Sequence, residues 1–138
     1  MRKTKKWMTS FGAMEDNPFE FIRVAREQID ALPNDVPKGS LALRQAAEAA
    51  HLALSSAVEI ATGKAIDQAN EEFKRVKTLA VWLRDPAFPK DFNALRRTLH
   101  SDSFHGAKCT RSDVLVALGA ADAMVTRILR AKRKAHKK

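Results

Sequence analysis

The stretch Ser40-Leu41-Ala42-Leu43-Arg44-Gln45-Ala46-Ala47-Glu48-Ala49-Ala50-His51-Leu52-Ala53-Leu54-Ser55-Ser56-Ala57-Val58-Glu59-Ile60-Ala61-Thr62-Gly63 decides the fold class. Leu43, Ala46/Ala47, Ala50, Leu54, Ala57/Val58 and Ala61 recur at three- and four-residue spacing, the stripe of an amphipathic helix. Ala, Leu, Gln and Glu dominate, and all are strong helix formers. Ser40 is a natural N-cap and Gly63 a natural left-handed stop. The spacing predicts a helix over 40–62, with alanines small enough for a neighbouring helix to approach closely.

Working outward, Asn17-Pro18 reads as a cap followed by proline at the first helical position. Phe21/Ile22, Ala25, Ile29 and Leu32 continue it as a helix over 17–32, stopped by Pro33. Pro33-Asn34-Asp35-Val36-Pro37-Lys38-Gly39 is a loop. Ile66, Ala69, Phe73, Val76, Ala80 and Leu83 predict a third helix over about 65–84, ending before Asp85-Pro86. Residues 85–90 read as a turn. Asp91 is the expected cap of a short helix through Phe92, Leu95 and Leu99. Residues 101–111 read as irregular. Ser112 is the expected cap of the last helix, with Asp113 near its positive end and Val114/Leu115, Leu118, Ala121, Val125 and Ile128/Leu129 as its buried stripe. There is no period-two alternation and no hairpin dipeptide, so no sheet is expected. The expectation is all-α: an antiparallel up-and-down helical bundle of four main helices plus one short helix. Its domain organisation reads as a flexible basic arm at 1–16, the bundle at 17–130 and a basic tail at 131–138.

The charge is segregated. The 138 residues carry a formal +9. Arg2, Lys3, Lys5 and Lys6 at one end, and Arg127, Arg130, Lys132, Arg133, Lys134, Lys137 and Lys138 at the other, stand with no acid among them. The 14 bases and 16 acids between leave residues 7–126 at −2. That excludes a uniformly basic body and makes the two ends candidate polyanion contacts, because each cation near a phosphate releases counterions. Trp7, beside Lys5 and Lys6, could stack on a base. One cysteine, Cys109, excludes a disulfide-stapled domain and makes a reducing, cytoplasmic setting the expectation. No apolar run reaches the ~20 residues of a membrane span.

Phosphate-loop, dinucleotide, nucleophile-elbow and zinc-protease motifs are missing, which favours a non-enzymatic reading with no cofactor. The densest polar cluster is Arg96-Arg97-Thr98-Leu99-His100-Ser101-Asp102-Ser103-Phe104-His105-Gly106. Arg96 and Arg97 offer guanidinium groups for phosphate. His100 and His105 offer imidazoles for proton transfer, so these four are the catalytic candidates. The bland alternative is a polar helix end whose side chains cap carbonyls. His100, His105 and Cys109 have spacings that permit metal ligation, but no fourth ligand is evident and no metal is assigned. His51 reads as an edge-of-core histidine donating a hydrogen bond, with Glu48 three residues earlier on an adjacent face. Trp82 reads as a packing or interface residue.

Two segments, Leu43 to Glu59 and Leu99-His100-Ser101-Asp102-Ser103-Phe104-His105-Gly106, resemble the small stand-alone HEPN-like helical proteins. The first is similar to that group's Ala-rich helix, the second to its Leu-His-x-x-x-aromatic-x-Gly turn. The resemblance implies an antiparallel bundle, often a homodimer, with RNA binding or metal-independent RNA cleavage in many members. Ribonuclease members carry Arg, four to six residues, then His. Here seven residues separate Arg97 from His105, eight separate Arg96 from His105 and three separate Arg96 from His100, so no pair has that spacing. The expected function is therefore a non-enzymatic binding module whose cationic tails contact nucleic acid or another polyanion. The alternatives are a HEPN-type ribonuclease and an assembly protein binding an acidic protein partner.

Overall fold

The computed structural model describes residues 17–63 and 69–136. The described residues are all-α, with no strand. Five α-helices are α1 (Pro18–Asp30), α2 (Leu41–Thr62), α3 (Ala69–Leu83), α4 (Phe88–Arg96) and α5 (Arg111–His136). Between α4 and α5 the chain continues without a break as a π-helical segment, Arg97–His105. The basic arm at 1–16, with Trp7, and Ile66 of the third stripe lie outside the described residues.

Local chemistry sets the ends. Asn17 accepts the Phe19 N–H with its side chain and Pro18 opens α1. Ser40 accepts from the Leu43 N–H, and Gly63 closes α2 at φ +79°, where a Cβ would be strained. Ser112 is not the cap of α5. Thr110 is: its Oγ1 accepts the Asp113 N–H at 3.2 Å while the Asp113 carboxylate accepts the Thr110 N–H at 3.0 Å. That reciprocal capping box satisfies two donors and starts the helix at Arg111. The short fourth helix starts earlier than Asp91, at Phe88, because Asp85 takes the Ala87 N–H and turns the chain there. Phe88 is thereby fully buried. Of residues 101–111, read as irregular, 101–105 are instead π-helical, while 107–110 have no regular structure. α5 carries on to His136, through most of the segment read as the basic tail, and Ala131 is buried.

The core sits around α2. Thirteen of its 22 residues are buried, so it is enclosed on most of its circumference rather than on one stripe. It packs most extensively on α1 and α5 and then on the π-helical segment, while α3 packs on α4 and α5. Ala46, Ala47, Ala50, Ala53 and Ala57 are fully buried, and their small side chains let these neighbours come close. They are therefore occupied within one chain. In α3 the buried face is Glu72, Val76, Leu79 and Ala80, so Val76 and Ala80 of the expected stripe are buried; Phe73 is instead 41% exposed under the Lys77 ammonium. Leu115 is likewise exposed on α5, while Ala117 and Met124 join the core.

Candidate functional site

A polar seam crosses this apolar core. Arg44, Glu48, His51 and Ser55 lie within about 60° of one another around α2, at 100° per residue. Each meets a partner outside α2. Arg44 Nε donates to the Phe104 carbonyl at 2.8 Å, and Ser55 Oγ donates to Glu72 Oε2 at 2.9 Å. Between them, Glu48 Oε1 lies 2.9 Å from His51 Nδ1 and 3.2 Å from His100 Nδ1. The His51 and His100 rings stack with centroids 4.4 Å apart, and His105 meets His100 edge-on, Nε2 to Nε2 at 3.2 Å.

The π-helical register makes the last contact. In an α-helix, residues five apart point about 140° away from each other. Here Ser103 Oγ donates to the Thr98 carbonyl at 2.6 Å and the Gly106 N–H donates to the Ser101 carbonyl at 2.8 Å, both spanning five residues. Side-chain bonding to carbonyls loosens the α ladder and lets His105 come round to His100. Gly106 is suited to close the segment, since a Cβ there would stand 2.9 Å from the Ser101 carbonyl oxygen.

Protonation follows from the donor inventory. A carboxylate only accepts, so both Nδ1 atoms carry hydrogen in the metal-free protein. His100 Nε2 is then the acceptor and His105 Nε2 the donor between those rings. His51 Nε2 is buried with no hydrogen-bond partner. Burial by itself would push the Glu48 carboxyl up, but the bonds and charges of His51 and His100 outweigh it and hold Glu48 below its ordinary 4.5. Burial, helped by the charge of His51, pulls His100 below its ordinary 6.5 against the opposing pull of Glu48. At neutral pH the site is thus one carboxylate with a neutral His100.

The four catalytic candidates separate. His100 and His105 come together. Arg96 turns to Glu72, Nε to Oε1 at 3.4 Å, an ion pair whose geometry leaves the Arg96 Nε–H without a hydrogen bond. Arg97 is exposed. Cys109 does not join the histidines: it is a buried core residue, and the group with ligand geometry among the described residues is Glu48, His51 and His100. Glu48 and His51 were placed on adjacent faces by the sequence reading. A carboxylate-x-x-His pair at helical spacing, in an otherwise alanine-rich stripe, is the signal that they share a face.

Of the cationic candidates, Arg127 pairs with Asp85 and lies over the Phe88 ring, 5.2 Å from its centroid. Arg130 is exposed. Lys132, Arg133 and Lys134 fall on the helical backbone of α5. Arg2, Lys3, Lys5, Lys6, Lys137 and Lys138 lie outside the described residues. No described helix is long and apolar enough to cross a membrane. No family model, curated protein or solved structure matches this chain.

Proposed function

We propose that the chain is a non-enzymatic, HEPN-like up-and-down bundle that acts as a cytoplasmic homodimer and holds nucleic acid through its cationic ends. The observation that supports this reading is the unbroken run of α5 to His136. No acid follows Asp122, so the sequence from Arg127 to Lys138 carries seven cations beside a body of nearly balanced charge, and Arg130 among them is exposed. Such a cationic run attracts phosphates without reading bases. For the homodimer, α3 is the better contact than the Ala-rich helix, because Val81 is 74% exposed beside half-buried Trp82.

The test is binding of a labelled single-stranded RNA and a DNA duplex across a salt series. The arm lacking residues 132–138 is the informative one, since Ile128 and Ala131 belong to the core and a cut before them would damage it. Removing its five cations flattens the salt slope on single-stranded RNA by up to about 3–4, at ~0.7 per phosphate contact. Salt-independent binding, or equal binding by the truncated chain, overturns the reading. Co-purification of an acidic protein in place of nucleic acid would support the assembly alternative. RNA shortened by wild-type protein but spared by His100→Ala would support the ribonuclease alternative, for which the His100–His105 contact is the favouring observation.

A further inference from the structure

We propose that Glu48, His51 and His100 form a binding site for one divalent transition-metal ion of the zinc class, with His105 as the outer partner that orients His100. The donor atoms are Glu48 Oε1, His51 Nδ1 and His100 Nδ1.

Three independent observations meet at this point. The first is distance. Two donors each about 2.05 Å from one ion stand about 2.9 Å apart at a right angle and about 3.3 Å apart at the tetrahedral angle. The carboxylate oxygen lies 2.9 Å from one imidazole nitrogen and 3.2 Å from the other. The second is scaffold. Glu48 and His51 form a Glu-x-x-His pair projecting from one face of a buried helix, the arrangement by which helical proteins present carboxylate and imidazole to a shared ion. The third donor comes from a π-helical segment, a distortion that recurs at functional sites.

One of the two rings, His100, also has an outer-shell partner. A ring that ligates through Nδ1 carries its proton on Nε2, and that N–H needs an acceptor to fix the ring. His100 Nε2 already faces His105 Nε2 at 3.2 Å. On metal binding each ligating ring moves its proton from Nδ1 to Nε2, and His105 changes from donor to acceptor by the same shift. The donor set names the ion class: two imidazoles with one carboxylate suit zinc and its neighbours, whereas calcium and magnesium call for oxygen donors. Three protein donors leave a fourth position for water or an added ligand.

The test uses the full-length chain without an affinity tag, stripped with EDTA and titrated with zinc chloride against a chromogenic chelator. The expected result is one zinc per chain, not displaced by excess magnesium. Glu48→Gln and His100→Gln weaken binding by more than about 100-fold, and His105→Ala by about 10–100-fold as for an outer-shell partner. Cys109→Ser and His136→Ala leave the affinity unchanged. No zinc uptake, unchanged affinity in Glu48→Gln and His100→Gln, or loss of binding in His136→Ala would each overturn the proposal. Since substitutions in a packed seam can unfold a chain, imidazole nitrogen spectra of the wild-type protein give a second readout. Zinc must shift Nδ1 of both His51 and His100; unmoved Nδ1 signals overturn the proposal without any variant. No nucleic acid enters either measurement, so the result is independent of the binding function proposed above.

Discussion

Gly39 shows how one residue can hold two loops together. Its N–H donates to the Cys109 carbonyl at 3.1 Å, and its φ of +71° lies where side chains are strained. A Cβ there would overlap the Ala107 carbonyl oxygen, which is backbone and cannot swing aside. Gly39→Ala is expected to cost about 1–3 kcal/mol, read as a lower urea midpoint with an unchanged m-value. The loop it secures precedes α2, and its partner loop joins the π-helical segment to α5. The residue most easily misjudged from sequence is His51. As one histidine on an alanine-rich helix it reads as an edge-of-core donor, and it does meet Glu48. What the sequence does not give is that His100, 49 residues later, shares the same carboxylate oxygen. No periodicity within one helix reports a contact with another.

At the scale of the element, the capping box of α5 carries a pH dependence. The Thr110 backbone N–H first, and then the Thr110 hydroxyl, hold the Asp113 carboxyl below its ordinary 3.8. A carboxyl with a depressed folded pKa stabilises the fold above the unfolded value. That stability is lost as pH falls through the folded one. Acid unfolding of Asp113→Asn should therefore show a shallower loss of stability below about pH 3.8 than wild type. Thr110→Ala, which removes the other half of the box, is expected to cost about 0.5–2 kcal/mol at neutral pH by chemical denaturation. The central helix is sensitive in the opposite sense. Ala53 is fully buried in an element enclosed by neighbours, so Ala53→Leu overpacks the core and should destabilise by about 1–3 kcal/mol in the same measurement.

For the whole molecule, the proposed homodimer would draw on apolar surface that α3 leaves uncovered. Val81 is 74% exposed and Phe73, eight residues earlier on the same face, is 41% exposed. Val81→Glu removes apolar surface without touching the core. Sedimentation should then report a monomer with wild-type helicity; a dimer that survives this change would move the contact elsewhere. The charge distribution belongs to this scale too. The body pairs charges internally, with Arg26 on Asp122 and Arg96 on Glu72, and its Asp85 also takes Arg127 from the cationic end. The unbalanced surplus lies at the chain ends.

The sequence by itself determined the all-α class, the α1 and α2 caps, the stop at Gly63, four of the five buried positions of α1 and eight of the thirteen of α2. These follow from interactions within a few residues: a cap, a proline, a repeat of 3.6. Tertiary structure decided the rest. The π-helical segment arises because Ser103 and Gly106 bond five residues back, which α periodicity cannot express. On α3 Phe73 is left exposed while Glu72 is buried, where it meets Ser55 and Arg96 across the seam. The Glu48–His51–His100 cluster exists only because α2 lies against that segment. Its two halves carry no signal of each other in the chain, since what joins them is packing rather than spacing.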